Sequence, residues 1–280
     1  MGGSPLILEY IRERFGSEGL EVTPVGKHGR AFVLTIEGSS RMVVKAVGSE
    51  GKWRRYIWAS YFLREKGVDV PSMRLSPVSL PELDLFLIFE EYLPGEALSS
   101  LGDPRGEILE KVAGAIRKFH SIESEKWGVP AKGLKSKGFF KRHLRKIEKW
   151  SQGDARLYRE ISRRGWIKKL VRKLEKVERR YQMTHGDLHG ENIMVSDRIC
   201  FVDLVRSGFG SCVKDLVRFD VWERRRWGTR VIFHSYLRDV EDPLLEEKLK
   251  LFFLGEFVRR RDLEWVKDAL WRLLEKEELS

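Results

Sequence analysis

His185, Asp187, Asn192 and Asp203 fall within one short stretch, His-Gly-Asp-Leu-His-Gly-Glu-Asn and then, past an apolar run, Val-Asp. Two carboxylates and a carboxamide gathered this way suit metal-assisted transfer of a phosphoryl group. Asn192 and Asp203 offer hard oxygen donors, which Mg²⁺ takes alongside the phosphates of a nucleotide. Asp187 holds no metal in this reading. It accepts the proton of a substrate hydroxyl as that oxygen attacks the γ-phosphorus. Singly, each residue is also what a turn or a strand end uses. The ordered set is what points to chemistry.

Such a set needs a rigid support, and the flanking residues supply one. Residues 193–195 and 199–202 are apolar, and Ser196, Asp197 and Arg198 between them suit a tight hairpin turn. Upstream, Ile7, Ile11 and Phe15 mark an amphipathic helix that ends near Gly16. Strands are expected over 21–25, 32–36 and 42–47, with Gly26 and Gly29 in the first turn. Glycines there let backbone N–H groups approach phosphate oxygens, although the same pair also suits a plain hairpin. Lys45 is a lone cation inside Val-Val-Lys-Ala-Val. Buried unpaired it would cost several kcal/mol, so it needs an anion or an exit to water. Lys45 either points outward from a half-exposed strand or pairs with the α- and β-phosphates of a nucleotide.

The stretch His-Gly-Asp-Leu-His-Gly-Glu-Asn…Val-Asp resembles the catalytic core of the aminoglycoside phosphotransferase and choline kinase family, relatives of the protein kinases. The resemblance implies an α+β, bilobal, protein kinase-like fold: a small N-terminal antiparallel sheet over residues 1–94 that covers the nucleotide, and a larger, mainly helical lobe over 95–280. It implies that Asp187 is the catalytic base, that Asn192 and Asp203 hold Mg²⁺, and that His185 braces the loop. Asp215 matches a family Asp that begins a helix and steadies that loop. The run Leu-Phe-Leu-Ile-Phe-Glu-Glu-Tyr-Leu-Pro-Gly resembles the hinge, with main-chain contacts to the base from Glu90 and Tyr92 and with Phe89 behind the pocket. The family pairs its strand Lys with a Glu on the next helix. Here residues 53–66 carry Tyr56, Ile57 and Trp58 where that Glu is sought, leaving Glu50 as the best substitute and Glu65 too late.

The implied cofactors are ATP, with GTP as the alternative, and Mg²⁺. The implied acceptor is a hydroxyl-bearing small molecule. No long activation segment follows Asp203, and His189 stands where protein kinases carry a Lys; both departures favour a small acceptor over a protein. The rivals are an atypical protein kinase of the RIO type, a lipopolysaccharide-type sugar kinase, a nucleotide-binding scaffold without turnover, and a nucleic-acid-binding module.

The 280 residues, 42% of them apolar, are enough for a large core in one domain or two lobes. Lys and Arg number 53 against 42 Asp and Glu, a net charge of +11 that favours anionic partners. Residues 132–180 are the most basic region, with Phe139, Phe140 and Trp150 among the cations. A solvated helix face explains most such runs, and a cap that attracts an anionic acceptor is the sharper reading. No RNA- or DNA-binding signature is present. His120, closing an expected helix over 107–120, reads as a cap or packing residue. Cys200 and Cys212 lack metal-ligand spacing, which argues against a disulfide framework and fits a reducing cytoplasm. The first residues lack the basic start and long apolar run of a signal peptide, and no apolar run is long enough to span a bilayer.

Overall fold

Alternating burial builds the N-terminal sheet. In the computed structural model, which describes residues 3–16, 18–25, 31–36, 40–81, 84–102, 104, 106–238, 240–261, 266 and 268–271, helix α1 (Gly3–Phe15) precedes three antiparallel strands. These are β1 (Leu20–Val25), β2 (Ala31–Ile36) and β3 (Ser40–Val47). Helix α2 (Glu50–Glu65) follows, then β4 (Met73–Leu80) and β5 (Leu85–Glu91). The strands run β1-β2-β3-β5-β4 across one five-stranded sheet. Phe32, Leu34, Met42, Val44, Ala46, Leu87 and Phe89 share one face and pack with Ile7 and Ile11 of α1. Strand β4 has no clear signal in the sequence because Pro77 interrupts it. The sheet tolerates that proline at an edge, where the pairing with β5 shifts register between Leu75 and Val78.

Two compact units result: Met1–Leu101 with Glu191–Ser207, and Gly102–Gly190 with Gly208–Ser280. The boundary expected at Pro94 thus falls after Leu101, and the hairpin expected in the larger lobe joins the sheet unit. Pairing explains the difference. Strand Glu96–Ala97 is antiparallel to Ile193–Val195, which itself pairs with Ile199–Phe201. Phe201 N donates to Asp69 O at 2.9 Å, and Arg55 of α2 donates to Val205 O at 3.3 Å.

The second unit is mainly helical: α3 (Glu107–His120), α4 (Phe139–Ser151), α5 (Ala155–Arg163), α6 (Gly165–Val177), α7 (Cys212–Trp227), α8 (Val231–Leu237) and α9 (Leu245–Arg259). Phe140, Ile147, Leu157, Ile161, Val171, Val217 and Phe252 meet in its core. Strand Tyr181–Thr184 leads into the His185 loop and pairs with Glu123–Ser124 and Gly208–Gly210. Glu223 is fully buried. Its carboxylate accepts from Ile232 N at 3.1 Å and Phe233 N at 3.4 Å, capping the start of α8. Among the described residues no helix is long and apolar enough to cross a membrane.

Candidate active site

In the first unit the pleat decides which side chains face the site. Register pairs Lys45 with Ile88 and Val43 with Glu90, so Lys45 and Glu90 are diagonal neighbours on one face of the sheet. Lys45 Nζ is 2.6 Å from Glu90 Oε2 and donates to Tyr56 Oη at 3.2 Å. Tyr56, on α2 and fully buried, donates in turn to Glu90 Oε1. Burial pushes the Glu90 carboxyl above its ordinary pKa, and Lys45 pulls it back. The partner of Lys45 is therefore a strand carboxylate. Glu50 bonds Arg54 instead, at 2.6–2.8 Å, and Glu65 is exposed. Phe89, expected behind the pocket, points to the opposite face, with its ring 5.9 Å from that of Phe15. Consecutive strand residues alternate faces, so Glu90 stands where Phe89 was sought.

Lys45 and Tyr56 open onto a pocket of ≈ 480 Å³, lined also by Val25, Ala31, Asn192 and Asp203. Asn192 N-terminally flanks the strand Ile193–Val195, and its carbonyl accepts from Val202 N at 3.0 Å, which closes the base of the hairpin. Asp203 follows at φ 61°, ψ 58°, a left-handed conformation that costs a non-glycine residue energy and marks many functional positions. Among the described residues no group of three or more His, Cys, Asp or Glu is placed to hold a metal. A carboxylate and a carboxamide beside a phosphate-sized space are instead the donor set of Mg²⁺ that completes its shell with nucleotide oxygens and water. Gly26 and Gly29 lie outside the described residues. Tyr92 follows the last ladder pair of β5, with the Arg41 guanidinium 5.4 Å above its ring.

The second unit holds the loop of His185 and Asp187. Asp215, buried in the first turn of α7, accepts from His185 N at 2.6 Å and from Gly186 N at 3.0 Å. His120 Nε2 stands 3.6 Å from the same carboxylate, and its Nδ1 is 2.9 Å from Tyr236 Oη. Burial alone would raise the Asp215 pKa, but the His120 hydrogen bond and the charges of His120, His185 and Lys214 hold it below the usual carboxylate range. Gly186 takes φ 78°, and a Cβ on Gly190 would sit 2.1 Å from the Trp222 ring, so the loop needs both glycines. Asp187 is partly exposed, with Oδ1 2.5 Å from Arg218 Nη1. That nitrogen also donates to Gly186 O at 2.6 Å, and Arg218 Nε reaches Glu256 Oε1 of α9 at 3.4 Å.

Structure thus gathers Lys45, Asn192 and Asp203 in one unit and His185 and Asp187 in the other. The residues that sequence missed are Tyr56, Arg218 and the side chain of Glu90. A hydroxyl among helix aromatics, and an Arg in a helix rich in Arg, carry no spacing signal of their own.

A sheet unit whose Lys45 is paired beside Asn192 and Asp203, and a helical unit that anchors the His185–Asp187 loop, are the parts of a kinase-like phosphotransferase whose acceptor is an alcohol group. The chain belongs to the phosphotransferase enzyme family (APH), whose sequence model matches residues 23–252. Among solved structures, a thermostable mutant of aminoglycoside phosphotransferase APH(4)-Ia gives a TM-score of 0.71 at 16% identity, covering 96% of this chain and 98% of its own. Choline kinase LicA from Streptococcus pneumoniae gives 0.60 at 17% identity, over 98% and 92%. Amicoumacin kinase hAmiN, solved with AMP-PNP and Ca²⁺, gives 0.63 at 14% identity, over 97% and 92%. At these identities the likeness is one of fold. No curated protein sequence is significantly similar to the chain.

Proposed function

We propose that this protein transfers the γ-phosphate of ATP to a hydroxyl of a small molecule, the sheet unit holding the nucleotide and the helical unit the acceptor. The observation that carries the reading is the convergence of Lys45, Asn192 and Asp203 on one pocket. Lys45, oriented by Glu90 and Tyr56, binds the α- and β-phosphates, and main-chain groups at Tyr92 meet the base. Asn192 and Asp203 hold Mg²⁺, which when bound neutralises phosphate charge. His185 braces the loop through its backbone bond to Asp215. Asp187 orients the acceptor hydroxyl and takes its proton. Arg218 holds that carboxylate through Oδ1.

An adenine nucleotide is favoured because related folds were solved with AMP-PNP or ADP. The net charge of +11 keeps an anionic acceptor among those to test. Free thiols at the buried Cys200 and the half-buried Cys212 suit a cytoplasmic enzyme. ADP release from Mg-ATP across a panel of hydroxylated metabolites, neutral and anionic, tests the proposal. Release stimulated only by added proteins would make it a protein kinase, and release by no acceptor despite nucleotide binding would leave a scaffold.

A further inference from the structure

The positive charge of this protein is not spread over it. Residues 132–180 hold 19 Lys and Arg against 5 Asp and Glu, leaving 34 against 37 in the rest of the chain. The whole net charge therefore resides in that segment, and the remainder is slightly acidic.

Structure sharpens the asymmetry. Helices α4, α5 and α6 turn Phe140, Ile147, Leu157, Ile161, Ile167 and Val171 into one core cluster, so their polar faces all point away from it. Every cation in the segment except Arg164 is exposed, and none of its acids is. Four of the five acids are engaged within the fold. Glu175 accepts from Gly138 N at 2.7 Å and Lys141 N at 3.0 Å; Asp154 caps α5 through Arg156 N and Leu157 N. Glu160 bridges Arg164 at 2.9 Å, and Glu178 pairs with the buried Lys248. The result is a three-helix surface on which the fully exposed charges are cations, Lys173 being paired with Glu247 of α9. Such a face repels itself, which folding alone gives no reason to keep.

We propose that this face docks the protein peripherally on an anionic phospholipid bilayer. Its form favours a bilayer over nucleic acid. Of the aromatic residues here, Phe139, Trp150 and Trp166 are half-buried against the core, which leaves Tyr158 as a single exposed ring and not a platform for successive unstacked bases. Tyr158 has the amphipathic ring that settles at a headgroup boundary. Long Lys and Arg stems spread over three helices match a planar array of headgroup phosphates, whose attraction adds with each cation and is screened by salt. The proposal is independent of the catalytic reading, since none of these side chains belongs to the candidate site.

Vesicle co-sedimentation of the full chain tests it. Wild type should pellet with phosphatidylcholine vesicles containing about one-third phosphatidylglycerol, and stay in solution with phosphatidylcholine alone. Raising salt, or replacing Lys141, Arg145, Lys168, Lys169 and Arg172 together by Gln, should lower binding at least about tenfold. An unchanged thermal midpoint in the variant shows that folding is retained; if it falls, single Gln variants replace the set and should show graded losses. Failure to bind anionic vesicles at low salt overturns the proposal. So does preferential capture by an RNA duplex that strips the protein from vesicles, which would mark the face as a nucleic-acid surface.

Discussion

Lys45 and Glu90 form an ion pair across neighbouring strands, 2.6 Å apart, with the carboxylate fully enclosed and the lysine side chain 21% exposed. The strand carboxylate does for this lysine what a helix carboxylate does in the family pattern, and Tyr56 occupies the helix position. Glu90→Gln should therefore weaken Mg-AMP-PNP binding about tenfold, because a neutral amide holds the ammonium less firmly. Combined with Lys45→Ala it should add little, since both act through one contact. Calorimetric titration reads both effects. Additive losses would mean that Glu90 serves the fold and not the lysine.

Arg218, on α7, holds the Asp187 carboxylate while Glu256 holds Arg218. Its removal misplaces Asp187 without touching the nucleotide pocket. Arg218→Met should lower kcat by about 10² and leave the KM for ATP unchanged, with Arg218→Lys recovering part of the loss. A raised ATP KM at constant kcat would place Arg218 in nucleotide binding instead.

Asp215 satisfies two buried N–H groups of the loop, those of His185 and Gly186. Asp215→Ala leaves both donors and His120 without that acceptor, at a cost of about 3 kcal/mol or more. The carboxyl pKa lies below its ordinary value in the fold. Its contribution is thus complete above the unfolded value and is lost as pH falls through the folded one. Urea midpoints for wild type and variant should converge in strong acid. A variant as stable as wild type at neutral pH would remove Asp215 from the loop's support.

His143 is buried against Phe252, with ring centroids 4.8 Å apart, and its Nε2 abuts Gly255. Burial, with the charges of Lys214, Lys146 and Arg218, holds its pKa well below 6.5. Above that value both states are neutral and pH has no effect. Below it the unfolded chain takes up a proton that the folded one refuses, so stability falls by up to about 1.4 kcal/mol per pH unit. His143→Gln should flatten this slope between pH 6.5 and the folded pKa. An equal slope in the variant would assign acid sensitivity to other groups.

What was legible in the sequence follows from the range of the forces involved. Helix and strand periods marked α1, β1 to β3, α3 and the 193–201 hairpin, because each buries its own face. The ordered spacing of Asp187, Asn192 and Asp203 marked the family, whose model matches residues 23–252. Partner choice was not legible. Lys45 finds Glu90 through strand register, and Asp187 finds Arg218 through helix packing, at separations where local pattern carries no information. The swap of Phe89 for Glu90 shows how short the margin is: one residue along a strand reverses the face. Pro77 hid β4 because only the sheet order reveals that it lies on an edge.

The central claim is that Asp187 performs the chemistry while the sheet unit alone binds the nucleotide. Acceptor-dependent ADP release and Mg-AMP-PNP affinity, measured side by side for wild type and Asp187→Asn, test it most directly. The account predicts turnover reduced by about 10³ or more with nucleotide affinity preserved. Full turnover in Asp187→Asn, or affinity lost together with turnover, would contradict it.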